Sequence, residues 1–170
     1  MDPSTGSTSD ASLLRHRPFA FFWCARVATS LAFQMQAVAV GWQGYALTGS
    51  AFYLGLIGLA QFLPMFLLSL VVGQVVDRFD RRRVAGLCQL IEALAVAALA
   101  AGSASGWLGR EGLLAIVCVV GAARAFEGPT LHALVPGLVP ALVLPRAIAG
   151  AASANQTATI LGPALGGLLY

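Results

Sequence analysis

Residues 51–83 read AFYLGLIGLAQFLPMFLLSLVVGQVVDRFDRRR. From Ala51 to Val76 there is no charged residue, and between Asp77 and Arg83 every residue but Phe79 is charged. A helix needs roughly 20 apolar residues to cross a hydrocarbon core about 30 Å thick. Backbone in lipid must also satisfy its own hydrogen bonds, which helices do within one segment. The stretch therefore reads as a membrane helix that stops at a charged interface.

The same ruler, carried outward in both directions, gives an all-α membrane fold with five transmembrane helices. They fall near residues 19–47, 51–76, 84–102, 112–135 and 146–170. Thr48-Gly49-Ser50 forms a tight turn, Asp77–Arg83 a short charged loop and Ser103–Glu111 a polar loop with Gly106 and Gly109. Pro136, Pro140 and Pro145 punctuate the last connection. Residues 1–18 open with the polar, turn-rich run MDPSTGSTSDAS and read as a disordered cytoplasmic tail. The apolar run that starts at Phe19 is too long for the core of a signal peptide.

Composition agrees with the bilayer. The 170-residue chain is 58% hydrophobic and only 10% charged, against about 25% charged in a soluble domain. Its net charge of +3 rests on ten basic residues, all arginine. These sit mostly at the ends of apolar runs, where they set topology, and not on a polar face suited to nucleic acid. Arg15, Arg17, Arg78, Arg81, Arg82, Arg83 and Arg146 lie on the N-terminal side of the spans, and only Arg110 lies in a loop on the other. The positive-inside rule then places the N-terminus in the cytoplasm of a multi-pass protein. The run of arginine and alanine without lysine suits a GC-rich bacterium, and hence a bacterial plasma (inner) membrane.

Catalytic or metal chemistry has no constellation to use. Cys24, Cys88 and Cys118 are isolated within apolar runs and read as packing residues. His16 and His132 stand apart from any ligand set, and a phosphate-cradling loop would need the lysine that the chain lacks. The chain reads as a non-enzyme with no cofactor and no metal.

Two features go beyond topology. Gly73 stands four residues before Asp77, and an acid is set among the arginines Arg78, Arg81, Arg82 and Arg83. An acid at a helix end can accept charge-assisted bonds and latch one state of a moving bundle. Along the last span, Gly150, Ala154, Ala158, Gly162 and Gly166 recur every four residues on one helical face, where small side chains permit close packing.

The motif Gly73-x-x-x-Asp77-Arg78-x-x-Arg81-Arg82 resembles the loop 2–3 signature of the major facilitator superfamily. The chain departs from that pattern at Asp80, where the family usually has glycine. Arg124-Ala-Phe-Glu127-Gly128 is similar to the family's buried-arginine motif. Ala158 through Gly162, Pro163, Gly166 and Gly167 resembles the helix 5 element of exporters and antiporters, with Ala158 in place of its first glycine. Gly41-Trp42, Leu47–Ser50 and Pro64 are similar to the siderophore-exporter-like branch.

The resemblance implies that the five helices form most of the N-terminal six-helix half of a facilitator fold. It implies a cytoplasmic gate at Gly73, Asp77, Arg78, Arg81 and Arg82, and bending and packing of helix 5 at Ala158, Gly162, Pro163, Gly166 and Gly167. It also implies partners: the lipid bilayer, a small-molecule substrate, protons and a missing C-terminal half. The expected function is secondary active, proton-coupled export by alternating access in a full-length parent. A truncated non-transporting remnant, or a membrane-embedded assembly or regulatory subunit, is the other reading.

Charge inside the spans costs about 2.5–3.5 kcal/mol per group on insertion scales, so it pairs or faces a cavity. Arg124 and Glu127 are three residues apart and can pair on one helical face. Together with Glu92 and Arg26 they form either structural ion pairs or a proton or substrate relay. Gln34, Gln36 and Asn155 either line the substrate path or bond across helices.

Overall fold

The computed structural model describes residues 17–137 and 144–169. Among these residues the chain is helical throughout, with short turns between helices. Helix α1 spans Arg17–Thr48, α2 Ala51–Arg78, α3 Arg81–Ser105, α4 Arg110–Leu134 and α5 Leu144–Leu169, with a 3-10 turn at Val135–Gly137. Of the expected N-terminal tail, residues 1–16 lie outside the described residues, as do Pro140 and Tyr170. Arg17 and Pro18 open α1, where proline's fixed φ and missing N–H are well tolerated.

Among the described residues, three segments are long and apolar enough to cross a membrane: Ala51–Arg78, Arg81–Ser105 and Arg110–Gly137. Most large apolar side chains on α2 face outward, among them Phe52, Phe66 and Leu70. That arrangement suits a helix solvated by lipid, whose tails are as apolar as the side chains.

The turns are set by local chemistry. Gly49 (φ 63°) and Gly106 (φ 72°) adopt the left-handed conformation that glycine enters at no steric cost. Gly106 closes α3 as its C-cap, and the Leu108 N–H then donates to the Gly102 carbonyl at 3.2 Å. The charged loop expected over Asp77–Arg83 is shorter than its composition suggests. Helix α2 runs through Arg78, and α3 begins at Arg81. Asp80 makes this possible, because its Oδ1 accepts the backbone N–H groups of Arg82 and Arg83, both at 3.0 Å. An aspartate N-cap at φ −60° needs no glycine, so the departure at Asp80 leaves the turn intact.

The chain divides into two compact units, one of Gln36–Ala133 and one of the segments before and after it. In the first, Val40, Tyr53, Ile57, Leu113 and Val117 form a core near the α3–α4 turn. Val72 and Val76 of α2 meet Ala125 of α4 in a second core. The Tyr53 hydroxyl donates to the Arg110 carbonyl. In the other unit, Val135 and Ala147 pack with Phe22 and Trp23. There α1 and α5 run parallel: Trp23 pairs with Gly150, Ser30 with Asn155, and Gln34 packs on Gly162.

Candidate functional site

Three charged side chains meet inside the Gln36–Ala133 unit. Arg124 of α4 places Nη1 3.5 Å from Glu127 Oε2 on its own helix and 3.8 Å from Glu92 Oε2 on α3. Both glutamates are more than nine-tenths buried, with exposures of 8% at Glu92 and 3% at Glu127. The α3–α4 turn accounts for the meeting. Glu92 precedes Gly106, and Arg124 follows Gly109, by nearly equal lengths of helix, so an antiparallel pair brings them to one level.

Two acids on one guanidinium leave one surplus negative charge when both are ionised. Glu92 Oε1 and Glu127 Oε1 are buried without a hydrogen-bond partner among the described residues. The pair distances exceed the 2.7–2.9 Å of a tight charge-assisted bond. A proton, or a cationic group, would fill what these two oxygens lack. Arg26, the fourth expected charge, lies half-buried on α1 in the other unit and makes no ion pair among the described residues.

At the α2–α3 turn the residues expected to form a gate stand in different surroundings. The Arg81 guanidinium donates from Nη1 to the Ala133 carbonyl at 3.1 Å, satisfying an orphan acceptor at the C-terminal end of α4. Asp77, Arg78 and Arg82 are exposed side chains. Gly73 is exposed too, and a Cβ there would meet nothing within 4 Å among the described residues, so no close helix approach explains it here.

On the small-residue face of α5, Gly150 is half-buried. Ala154, Ala158, Gly162 and Gly166 are buried, whereas Pro163 and Gly167 are exposed. A Cβ on Gly162 would collide with the side chain of Gln34. The Ser30 hydroxyl donates to Asn155 Oδ1 at 3.0 Å, and the Trp23 indole N–H donates to the Gly150 carbonyl at 3.1 Å. Gln34 and Asn155 thus serve as contacts between helices within this unit. Gln36 is half-buried on α1.

Sequence reading paired Arg124 with Glu127 and grouped Glu92 and Arg26 with them as buried charges, but it did not name Arg124 as the partner of Glu92. The matched depths on either side of the turn are the signal that would have done so. It also passed over Gly121 and Gln61, where α4 touches the α2 backbone.

Comparison with known proteins adds a family. The profile of the transmembrane secretion effectors matches residues 8–170. Macrolide efflux protein A of Streptococcus pyogenes is 27% identical over 152 residues, covering 89% of this chain and 38% of the relative. The same protein from another strain of that species matches to the same extent. The chain thus spans 38% of the length of the curated relatives it matches. No solved structure matches it.

Proposed function

Because the chain belongs to the transmembrane secretion effector family of the major facilitator superfamily, we propose that it forms most of the N-terminal half of a small-molecule exporter. In this reading all five helices cross a bacterial plasma membrane with the N-terminus in the cytoplasm. The parallel run of α1 and α5 supports it, since five successive crossings give the first and last helices the same direction. The relatives extend well beyond the matched region, which supports a parent with a further half.

The observation that carries an exporting mechanism is the Glu92–Arg124–Glu127 cluster with its surplus negative charge and two unpartnered oxygens. A buried carboxylate pair on one arginine can take up a proton on one side and release it when a cationic substrate or a conformational change competes for the same charge. Alternating access would couple that exchange to movement of the cargo. Asp77, Arg78, Arg81 and Arg82 would hold the cytoplasmic side closed, with Arg81 already tied to the end of α4. The protein would act without catalysis or cofactor. Its cargo would be a drug-like compound, as the name of the macrolide efflux relatives suggests, with siderophores as the other class to try.

The test is proton-driven uptake of a macrolide, and of a siderophore, into everted vesicles holding the full-length gene product. We expect saturable uptake that collapses with the proton gradient and falls at least tenfold in Glu127→Gln. Uptake that ignores both the gradient and the substitution would refute proton coupling through this cluster. A remnant or assembly subunit would show no saturable uptake at all.

A further inference from the structure

Beside the charge cluster, but lined by none of its members, a groove of about 590 Å³ opens between the end of α2, the first half of α3 and the second half of α4. Val75, Leu87, Ile91, Val119 and Phe126 make its apolar walls, and Asp80 and Arg83 stand at its rim. We infer that this groove holds one acyl chain of an anionic phospholipid, with the headgroup phosphate on Arg83.

Three observations favour this occupant. The first is length. From Asp80 at the rim to Ile91 at the far end, α3 rises about 16 Å, close to the roughly 15 Å of one leaflet's hydrocarbon. The polar end of the groove therefore falls at the headgroup level when its apolar end reaches the midplane.

The second is charge. Asp80 spends its Oδ1 on the backbone of Arg82 and Arg83, and Arg81 is bonded to Ala133. Arg83 makes no ion pair among the described residues. Asp80 and Arg83 are the charged residues of the rim, and counting the adjoining Arg81 and Arg82 the turn carries a surplus of two positive charges. Anionic headgroups are drawn to such clusters at about 1 kcal/mol per arginine near the surface, or about fivefold in affinity.

The third is size. A helix 10–12 Å across running the same length fills about 1,300–1,800 Å³, roughly two to three times what the groove offers. A flexible hydrocarbon chain is slender enough to follow it. The inference needs only that α2, α3 and α4 lie in a bilayer, and it is independent of whether the protein exports anything.

The experiment is native mass spectrometry of the delipidated full-length gene product, titrated with phosphatidylglycerol or with phosphatidylcholine. We expect phosphatidylglycerol to be retained in preference, and Arg83→Gln to lower that preference about fivefold. Leu87→Trp, which fills the groove from an exposed position, should reduce retention of both lipids. Equal retention of the two lipids by the unsubstituted protein would overturn the inference, as would an Arg83→Gln protein that behaves like it. A lipid-free dimer would overturn it in favour of a second copy over this face. Should Leu87→Trp fail to fold, the Arg83→Gln comparison decides alone. Because the readout is bound lipid and not flux, failure here leaves the export test untouched.

Discussion

Gly121 of α4 lies directly on the backbone of Gln61 of α2: a Cβ built at this glycine would collide with the Gln61 carbonyl oxygen. The obstacle is backbone, so it cannot swing aside as a side-chain tip would. Pro64 lies one turn further along α2, where its missing N–H weakens the helical bonding of the preceding carbonyls. The two helices thus meet within a turn of the point where α2 lacks one helical hydrogen bond. Gly121→Ala is expected to destabilise the protein by about 1–3 kcal/mol, the usual cost of overpacking. Thermal unfolding in detergent, with Gly73→Ala as a comparison at an open position, checks it.

The contact of Gln34 with Gly162 offers a parallel case with a softer neighbour. A side chain at Gly162 meets the Cβ and Cγ of Gln34, whereas one at Gly167 meets nothing within 4 Å. Gly162→Val should therefore lower the unfolding midpoint clearly, and Gly167→Ala should leave it unchanged or raise it. If both substitutions had the same effect, the packing face of α5 would not be the one described.

Asp80 yields a prediction that a simple charged-loop reading would not make. Asp80→Ala removes the acceptor for two backbone N–H groups and should cost about 1 kcal/mol. Asp80→Asn keeps the acceptor and should restore most of it, although it removes the charge. A result in which alanine and asparagine behave alike would mean that the carboxylate matters for its charge and not as a cap.

The charge cluster predicts an asymmetry. Arg124→Gln leaves Glu92 and Glu127 without their shared cation and should cost on the order of 3–5 kcal/mol, as breaking a buried pair does. Glu92→Gln leaves Arg124 and Glu127 as a one-to-one pair and should cost much less. The triple replacement by glutamine should be milder than Arg124→Gln alone. Unfolding midpoints of the three variants, taken together, separate a shared cluster from independent charges.

The apolar runs and their arginine punctuation made the all-helical class legible, because both follow from the hydrocarbon thickness acting on nearby residues. The Arg124–Glu127 pair was legible for the same reason, lying three apart on one helix. Glu92 was not, since its place depends on the depth of two helices across a turn. Asp80 was visible only as a departure from a motif, although a cap explains it from its own side chain. Gly121 carried no local mark among the 19 glycines of the chain. Only the approach of Gln61, far away in sequence, singles it out.

The arginine triplet occupies the first turn of α3, the end of a helix where the backbone dipole disfavours positive charge. The helix accepts that cost with only Asp80 to offset it. In the orientation proposed, the return comes during insertion. Each guanidinium dragged outward against a 100 mV inside-negative potential would require about 2.3 kcal/mol, and three together about 7 kcal/mol. The membrane voltage itself would then act as a ratchet on biogenesis, holding the α2–α3 hairpin on its starting side before any tertiary contact has formed.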